Sequence, residues 1–279
     1  MGCIYILLAS GLNLIFGVMK VVNFAHGEFM MIGGYLSYAV SVLVGIDPYL
    51  SIFISMAAVG VLGVLTERVC FSRVLGTSKL NELILSIGLI YVLQNVMAIL
   101  GLLILGDYTI GIHSSFEFNI ISLGVVSMSL DWIMIIGITV LIIAGFYILT
   151  LKTKIGRAMR ATSQNRSTAM LMGINVERIG MFSFGLGTAL AAVAGTLLAI
   201  IAPITPYSGE IPVLKAFIII ILGGLGSPIG AVVGGLAYGL IESFAVVTLG
   251  AAWRDAIGFA ILILILIIKP TGIFGEKEG

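Results

Sequence analysis

Runs of about twenty apolar residues, each long enough to cross a hydrocarbon layer about 30 Å thick as a helix, recur along this sequence. They predict spans near 2–19, 27–46, 49–66, 83–105, 132–151, 179–202 and 253–268. Between the last two lies 213–249, too long for one ordinary span and punctuated by "GGLGSPIG", Gly223 to Gly230. That region predicts two short helices or a re-entrant hairpin, broken at the glycine-rich turn. A soluble core is excluded, because the chain is 60% hydrophobic, 10% charged and has a mean hydropathy of +1.22. The expectation is an all-α polytopic membrane protein, one domain over 1–279, with about eight transmembrane or re-entrant helical segments, some of them broken. Residues 1–19 show no basic region and no small-residue cleavage site, so they read as a retained helix rather than a signal peptide. A short N-terminal extension is expected to precede so abrupt a start.

Small residues tell how such spans pack. Lipid gives helices no hydrophobic reason to associate, so Gly and Ala, which let backbones approach closely, mark their contacts. Gly187, Ala191, Gly195 and Ala199 form one four-residue stripe, and Ala231, Gly235 and Gly239 another. Cys3 and Cys70 have no metal-ligand spacing and read as packing residues.

Lys and Arg fix the orientation, since cytoplasmic connections carry an excess of them. Segment 67–82 holds Arg68, Arg73 and Lys79; 152–178 holds Lys152, Lys154, Arg157, Arg160, Arg166 and Arg178 against the acid Glu177; the C-terminus holds Lys269 and Lys277. The connection 106–131 has only Asp107, Glu117 and Asp131. This alternation places 67–82, 152–178 and the C-terminus in the cytoplasm, and 106–131, 203–212 and the N-terminus outside.

Segment 152–178 must lie in water, because each cation costs about 2.5–3.5 kcal/mol at mid-bilayer. Its pattern is helical: Thr162 or Ser163 is a candidate N-cap, no breaker follows, and Gly173 is a natural stop. Ala161, Asn165, Ala169 and Gly173 recur every four residues and predict a small-residue face. Two readings stay open, an amphipathic turn lying on anionic lipid and a docking helix for a cytoplasmic protein.

The stretch "GRAMRATSQNRSTAMLMGINVERI" resembles the cytoplasmic loop of ABC importer permeases of the branched-chain amino-acid family, the LivH type. Gly156, Ala158, Arg160, Ala161, Asn165, Ala169, Gly173 and Ile174 carry the pattern. "VNFAHGEFMMIGGY" (Val22 to Tyr35), "ILGGLGSPIGAVVGG" (Ile221 to Gly235) and the C-terminal "KPTGIFGEK" are similar to further family motifs, in matching order. The resemblance implies a coupling helix, with Gly156, Arg157, Arg160, Ala161, Asn165, Ala169 and Gly173 meeting an ATPase. It implies as partners two cytoplasmic ATPases, a second related permease and an external solute-binding protein, in a prokaryotic cytoplasmic membrane. The substrate class so implied is branched-chain amino acids, with urea or short amides as the variant.

Within "NFAHGE", Asn23, His26 and Glu28 either satisfy backbone at a helix break or border the substrate path, since broken helices are how transporters place polar groups at depth. Two residues apart, His26 and Glu28 would not share a face of one continuous helix, which argues against a catalytic dyad. Gly223, Gly224 and Gly226 turn the backbone and are the second candidate border of the path. Lys215 reads as a cation snorkelling from a span end; Glu242 either pairs with Arg254 near the outer surface or faces the path. Asn165-Arg-Ser167 matches a glycosylation sequon, which a cytoplasmic position makes meaningless. The sequence contains no G-x-x-x-x-G-K-[ST], H-E-x-x-H or G-x-S-x-G. The expectation is therefore a transport subunit rather than an enzyme, with no cofactor of its own, no nucleic-acid partner, and ATP bound by partner subunits. A stand-alone secondary transporter, ion-coupled through His26, Glu28 or Glu242, is the alternative.

Overall fold

The computed structural model describes residues 1–114, 116, 119–123, 126–268 and 272. Lys269, Lys277, most of the C-terminal motif and Glu117 lie outside the described residues. The elements run α1 (Gly2–Met19), α2 (His26–Ala39), α3 (Pro48–Thr66), a single turn α4 (Ser72–Val74) and α5 (Lys79–Leu100). After the antiparallel pair β1 (Ile120–Leu123) and β2 (Val126–Ser129) come α6 (Leu130–Lys152), α7 (Lys154–Gln164), α8 (Arg166–Leu171) and α9 (Val176–Ile201). The chain continues as α10 (Glu210–Gly223), α11 (Pro228–Leu249) and α12 (Arg254–Ile268). Wider π turns extend α2 to Val44, α3 to Phe71 and α5 to Leu105.

Eight helices among the described residues are long and apolar enough to cross a membrane. α10 is not one of them: its 14 residues reach about 21 Å at about 1.5 Å per residue, short of the hydrocarbon thickness. The region read as 213–249 thus becomes a half-length helix and a full one, joined at the predicted glycine-rich turn. Ser227 accepts from the Gly230 N–H to cap α11, and Pro228 opens it.

α9 is the central strut. It runs antiparallel to α1, Gly187 meeting Gly11 and Gly180 lying beside Met19, and parallel to α2, Gly195 meeting Met30 and Gly34. Against α3 the Thr196 and Ser55 hydroxyls hydrogen-bond at 3.0 Å. α1 repeats this role on the other side: it lies parallel to α10, with Asn13 bonding the backbone of Gly226 and Ser227, and antiparallel to α11, with Gly2 against Gly239 and Ile6 against Gly235. The plan of α1, α2 and α3 therefore recurs in α9, α10 and α11 with direction through the membrane reversed. Both small-residue stripes lie on these contacts, Ala191, Ala199 and Ala231 being buried.

Sidedness agrees with the charge reading. Glu67, Arg166 and Glu177 line one cleft with Met19, while Ile110 bridges to Ile204 at the opposite end.

Lys215 departs from its expected place. Instead of snorkelling it is 5% exposed, 2.6 Å from Glu242 and 3.0 Å from Asp255, and it donates to the Tyr5 hydroxyl. Glu242 is equally buried and lies 3.7 Å from Arg254, so the pairing alternative describes it. Removing Glu242 leaves Lys215 only the half-exposed Asp255 carboxylate, so Glu242→Leu is expected to destabilise the detergent-solubilised chain, by less than the about 3–5 kcal/mol of a fully stranded charge. Lys215→Met added to it is expected to recover most of the loss in a chemical-denaturation series.

Candidate functional site: a mid-membrane helix break and a cytoplasmic tip

The break between α1 and α2 returns the chain to half depth. α1 ends in a left-handed cap at Lys20 (φ 58°), and residues 21–25 run back into the protein before α2 starts. His26 Nε2 lies 3.2 Å from the Leu8 carbonyl, about 16 Å up α1 from Met19 and so near the middle of a layer about 30 Å thick. Asn23 Oδ1 accepts from the Ala25 N–H at 3.0 Å.

A second break mirrors it from outside. α9 stops ahead of Pro203, Ile204 pairs with Ile110, and Ser208 Oγ accepts from the Thr205 N–H in a turn that feeds α10. The N-termini of α2 and α10 then collide at Gly27 and Gly209, so closely that a Cβ on either would overlap backbone of the other. Each carries a carboxylate in its first turn, Glu28 and Glu210. Gln94 of α5 joins them: its Nε2 donates to Glu28 Oε1 at 3.2 Å and to Glu210 Oε1 at 3.0 Å. Asn23, His26 and Glu28 are at most 1% exposed.

Gly223, Gly224 and Gly226 do not join this cluster. They form the α10–α11 turn at the cytoplasmic end, where Gly226 meets Gly17 and Gly223 meets Gly230. The partner of the 23–28 break is 202–209. Its signal in the sequence is the pair His26-Gly27-Glu28 and Ser208-Gly209-Glu210; Gln94 carries no motif.

On the cytoplasmic side the single predicted helix is two. Thr153 caps α7 by accepting from Gly156, and Arg160 donates to the Thr150 carbonyl, folding α7 back on α6. A Cβ at Gly156 would strike that same carbonyl. Asn165, with φ −154°, ends α7 and caps α8 by accepting from the Thr168 N–H at 2.9 Å. The cap is therefore Asn165 rather than Thr162 or Ser163, both of which lie inside α7. Gly173, at φ 81°, stops the segment as expected, and Asn175 caps α9.

The four-residue face does not survive this break. Ala161 is half-buried on α7 and Ala169 is 4% exposed on α8, turned toward the protein, while Gly173 lies past the helix end. What the tip offers instead is Met170, Leu171 and Met172, exposed by 54%, 87% and 79%. Exposed apolar side chains on a water-facing turn mark an interaction surface. Arg157 and Arg160 are exposed beside it. Beneath the tip a cleft of about 330 Å³, lined by Glu67, Arg166 and Glu177, separates it from the ends of α1 and α3.

Residues 1–266 match the family model described as branched-chain amino acid transport system, permease component. The chain belongs to this family. As a member it is a transport permease subunit and a multi-pass inner-membrane protein. It is 33% identical to the high-affinity branched-chain amino acid transport system permease protein LivH of Escherichia coli (strain K12), over 100% of this chain and 93% of that one. The corresponding protein BraD of Pseudomonas aeruginosa is 34% identical over 99% and 93%. A probable LivH of Methanocaldococcus jannaschii is 33% identical over 97% and 88%. No solved structure matches the chain.

Proposed function

We propose that this chain is the permease subunit of an ABC importer for branched-chain amino acids, completed by a second related permease, two cytoplasmic ATPases and an external solute-binding protein. The observation that carries the reading is the exposed apolar tip Met170–Met172, set in a segment built by three successive caps at Thr153, Asn165 and Asn175. Such a tip needs an apolar groove on a soluble partner, and an ATPase supplies both groove and energy to a chain with no phosphate-binding loop. Movement of the ATPases is transmitted through α7 and α8 to α6 and α9, which tilt as rigid bodies and open the path to one side or the other. Gly156 and Arg160 stiffen this lever by locking α7 to the end of α6; Arg157, exposed, contacts the partner.

The test is uptake of labelled leucine into proteoliposomes holding the full assembly. Uptake that requires ATP inside the cytoplasmic face and survives a protonophore and a sodium ionophore is the expected result. Uptake without ATP, abolished by either ionophore, would overturn the reading in favour of ion coupling.

A further inference from the structure

We propose that Glu28 and Glu210 form a mid-membrane site for the ammonium group of the transported amino acid, and that the Gln94 amide holds that place in the closed state. This rests on the importer reading for the identity of the cargo. Gln94 presents one NH₂ group to two carboxylates, as a primary ammonium would, at 3.2 Å and 3.0 Å. The remaining Glu28 oxygen, Oε2, is fully buried and has no partner, in a residue 1% exposed. Leaving such an acceptor unpaired costs about 1–3 kcal/mol, more for a charged one, so this oxygen favours a further donor.

Glu210 shows where that donor comes from. It sits at the same depth as Glu28, yet its side chain is exposed on the surface of this chain. A carboxylate at that depth cannot face lipid without a cost of about 2.5–3.5 kcal/mol. This face of the chain therefore borders the water-filled path, and Glu210 is the edge of the site that the path reaches. One and two turns along the Gln94 face of α5 stand Tyr91 and Ile87, exposed by 64% and 47%, apolar surface suited to a branched aliphatic side chain. The two half-helix N-termini add partial positive charge for the cargo's carboxylate. Loading requires the Gly27–Gly209 contact to part and Gln94 to swing aside, so the site opens only when α2 and α10 separate.

The test uses the full assembly in proteoliposomes, with Cys3 and Cys70 replaced by serine and Glu210→Cys as the reporter. Labelling by cationic 2-aminoethyl methanethiosulfonate, normalised to its rate with a free thiol, is expected to exceed that by the anionic sulfonatoethyl reagent at least ten-fold. Glu28→Gln in the same background is expected to erase the preference. At concentrations raised to offset the carboxylate that the reporter removes, leucine and 3-methylbutylamine should slow the labelling through Glu28, and 4-methylpentanoate, which is leucine without its ammonium, should not. Absence of charge preference, protection by 4-methylpentanoate, or protection by sodium or potassium chloride alone would each overturn the site. Protection by 3-methylbutylamine together with failure of the native assembly to move leucine would sustain the ammonium site and sink the cargo reading alone. Should Glu210→Cys not assemble, Glu28→Gln and Glu210→Gln are expected to lower leucine moved per ATP hydrolysed at least ten-fold; an unchanged ratio overturns the proposal.

Discussion

Aspartate at both Leu171 and Met172 is expected to release the ATPase from the permease and abolish ATP-driven uptake. Both side chains are almost bare, so their replacement leaves insertion and packing of the spans untouched. Burying a Leu or Met side chain at an interface is worth about 1.5–3 kcal/mol each, and burying an unpaired aspartate instead adds a desolvation cost. Losing both contacts corresponds to a fall in affinity of about 100-fold or more. Co-purification of the ATPase with a tagged permease measures it directly. Asn165→Ala, which removes one cap worth about 1 kcal/mol, should weaken capture only partly. Full retention of the ATPase by the double aspartate variant would show that the tip is not the docking surface, and would return the lipid-bound amphipathic turn to consideration.

Valine at Gly195 is expected to prevent stable folding. A Cβ there overlaps the Met30 carbonyl and lies 3.0 Å from the Gly34 N–H, so both obstacles are backbone of α2 and neither has a rotamer to escape into. Relief requires α2 to move off α9, which opens Gly33 against Ala192 and the Thr196 contacts in the same stroke. Overpacking ordinarily costs about 1–3 kcal/mol; displacement of a whole helix places this change above about 4 kcal/mol. Loss of the monodisperse peak in fluorescence-detected size exclusion is the readout. By contrast Gly88, with open space around it, should accept alanine without change.

Span positions were legible in the sequence to within a few residues, because hydropathy is a sum over about twenty positions and tolerates local exceptions. That 67–82 and 152–178 share one end of the bundle was legible too, through their cations. Pairwise geometry was not. Lys215 looked like a snorkelling cation because its partners Glu242 and Asp255 are distant in sequence and come together only when α10, α11 and α12 pack. The four-residue spacing of Ala161, Asn165, Ala169 and Gly173 predicted one face, but Asn165 prefers to cap, and its extended backbone splits the helix that the spacing assumed. The glycine-rich turn 223–230 drew attention by composition, whereas the break that meets 23–28, at 202–209, has two prolines and no glycine run. Gln94 stood beside Asn95 in a long apolar span with nothing to single it out, and its position between two carboxylates is a fact of tertiary structure alone.

The first helix of this chain has consequences for how the protein is made. From Ile4 to Leu12, the apolar side chains of α1 are all at least 94% buried, and its main neighbours are α9, α10 and α11, which lie in the second half of the sequence. A ribosome working from the N-terminus delivers α1 to the membrane long before any of them exists. Until then Gly2, Gly17 and Asn13 lack the backbone of α11 and of the α10–α11 turn that they meet in the folded chain. A helix synthesised ahead of α9, α10 and α11 is thus among the last to reach its final surroundings, and a chain interrupted before α9 would hold the helices made before it with no axis to close around. Quality control in the membrane therefore has a simple object to inspect: an α1 that has not been enclosed.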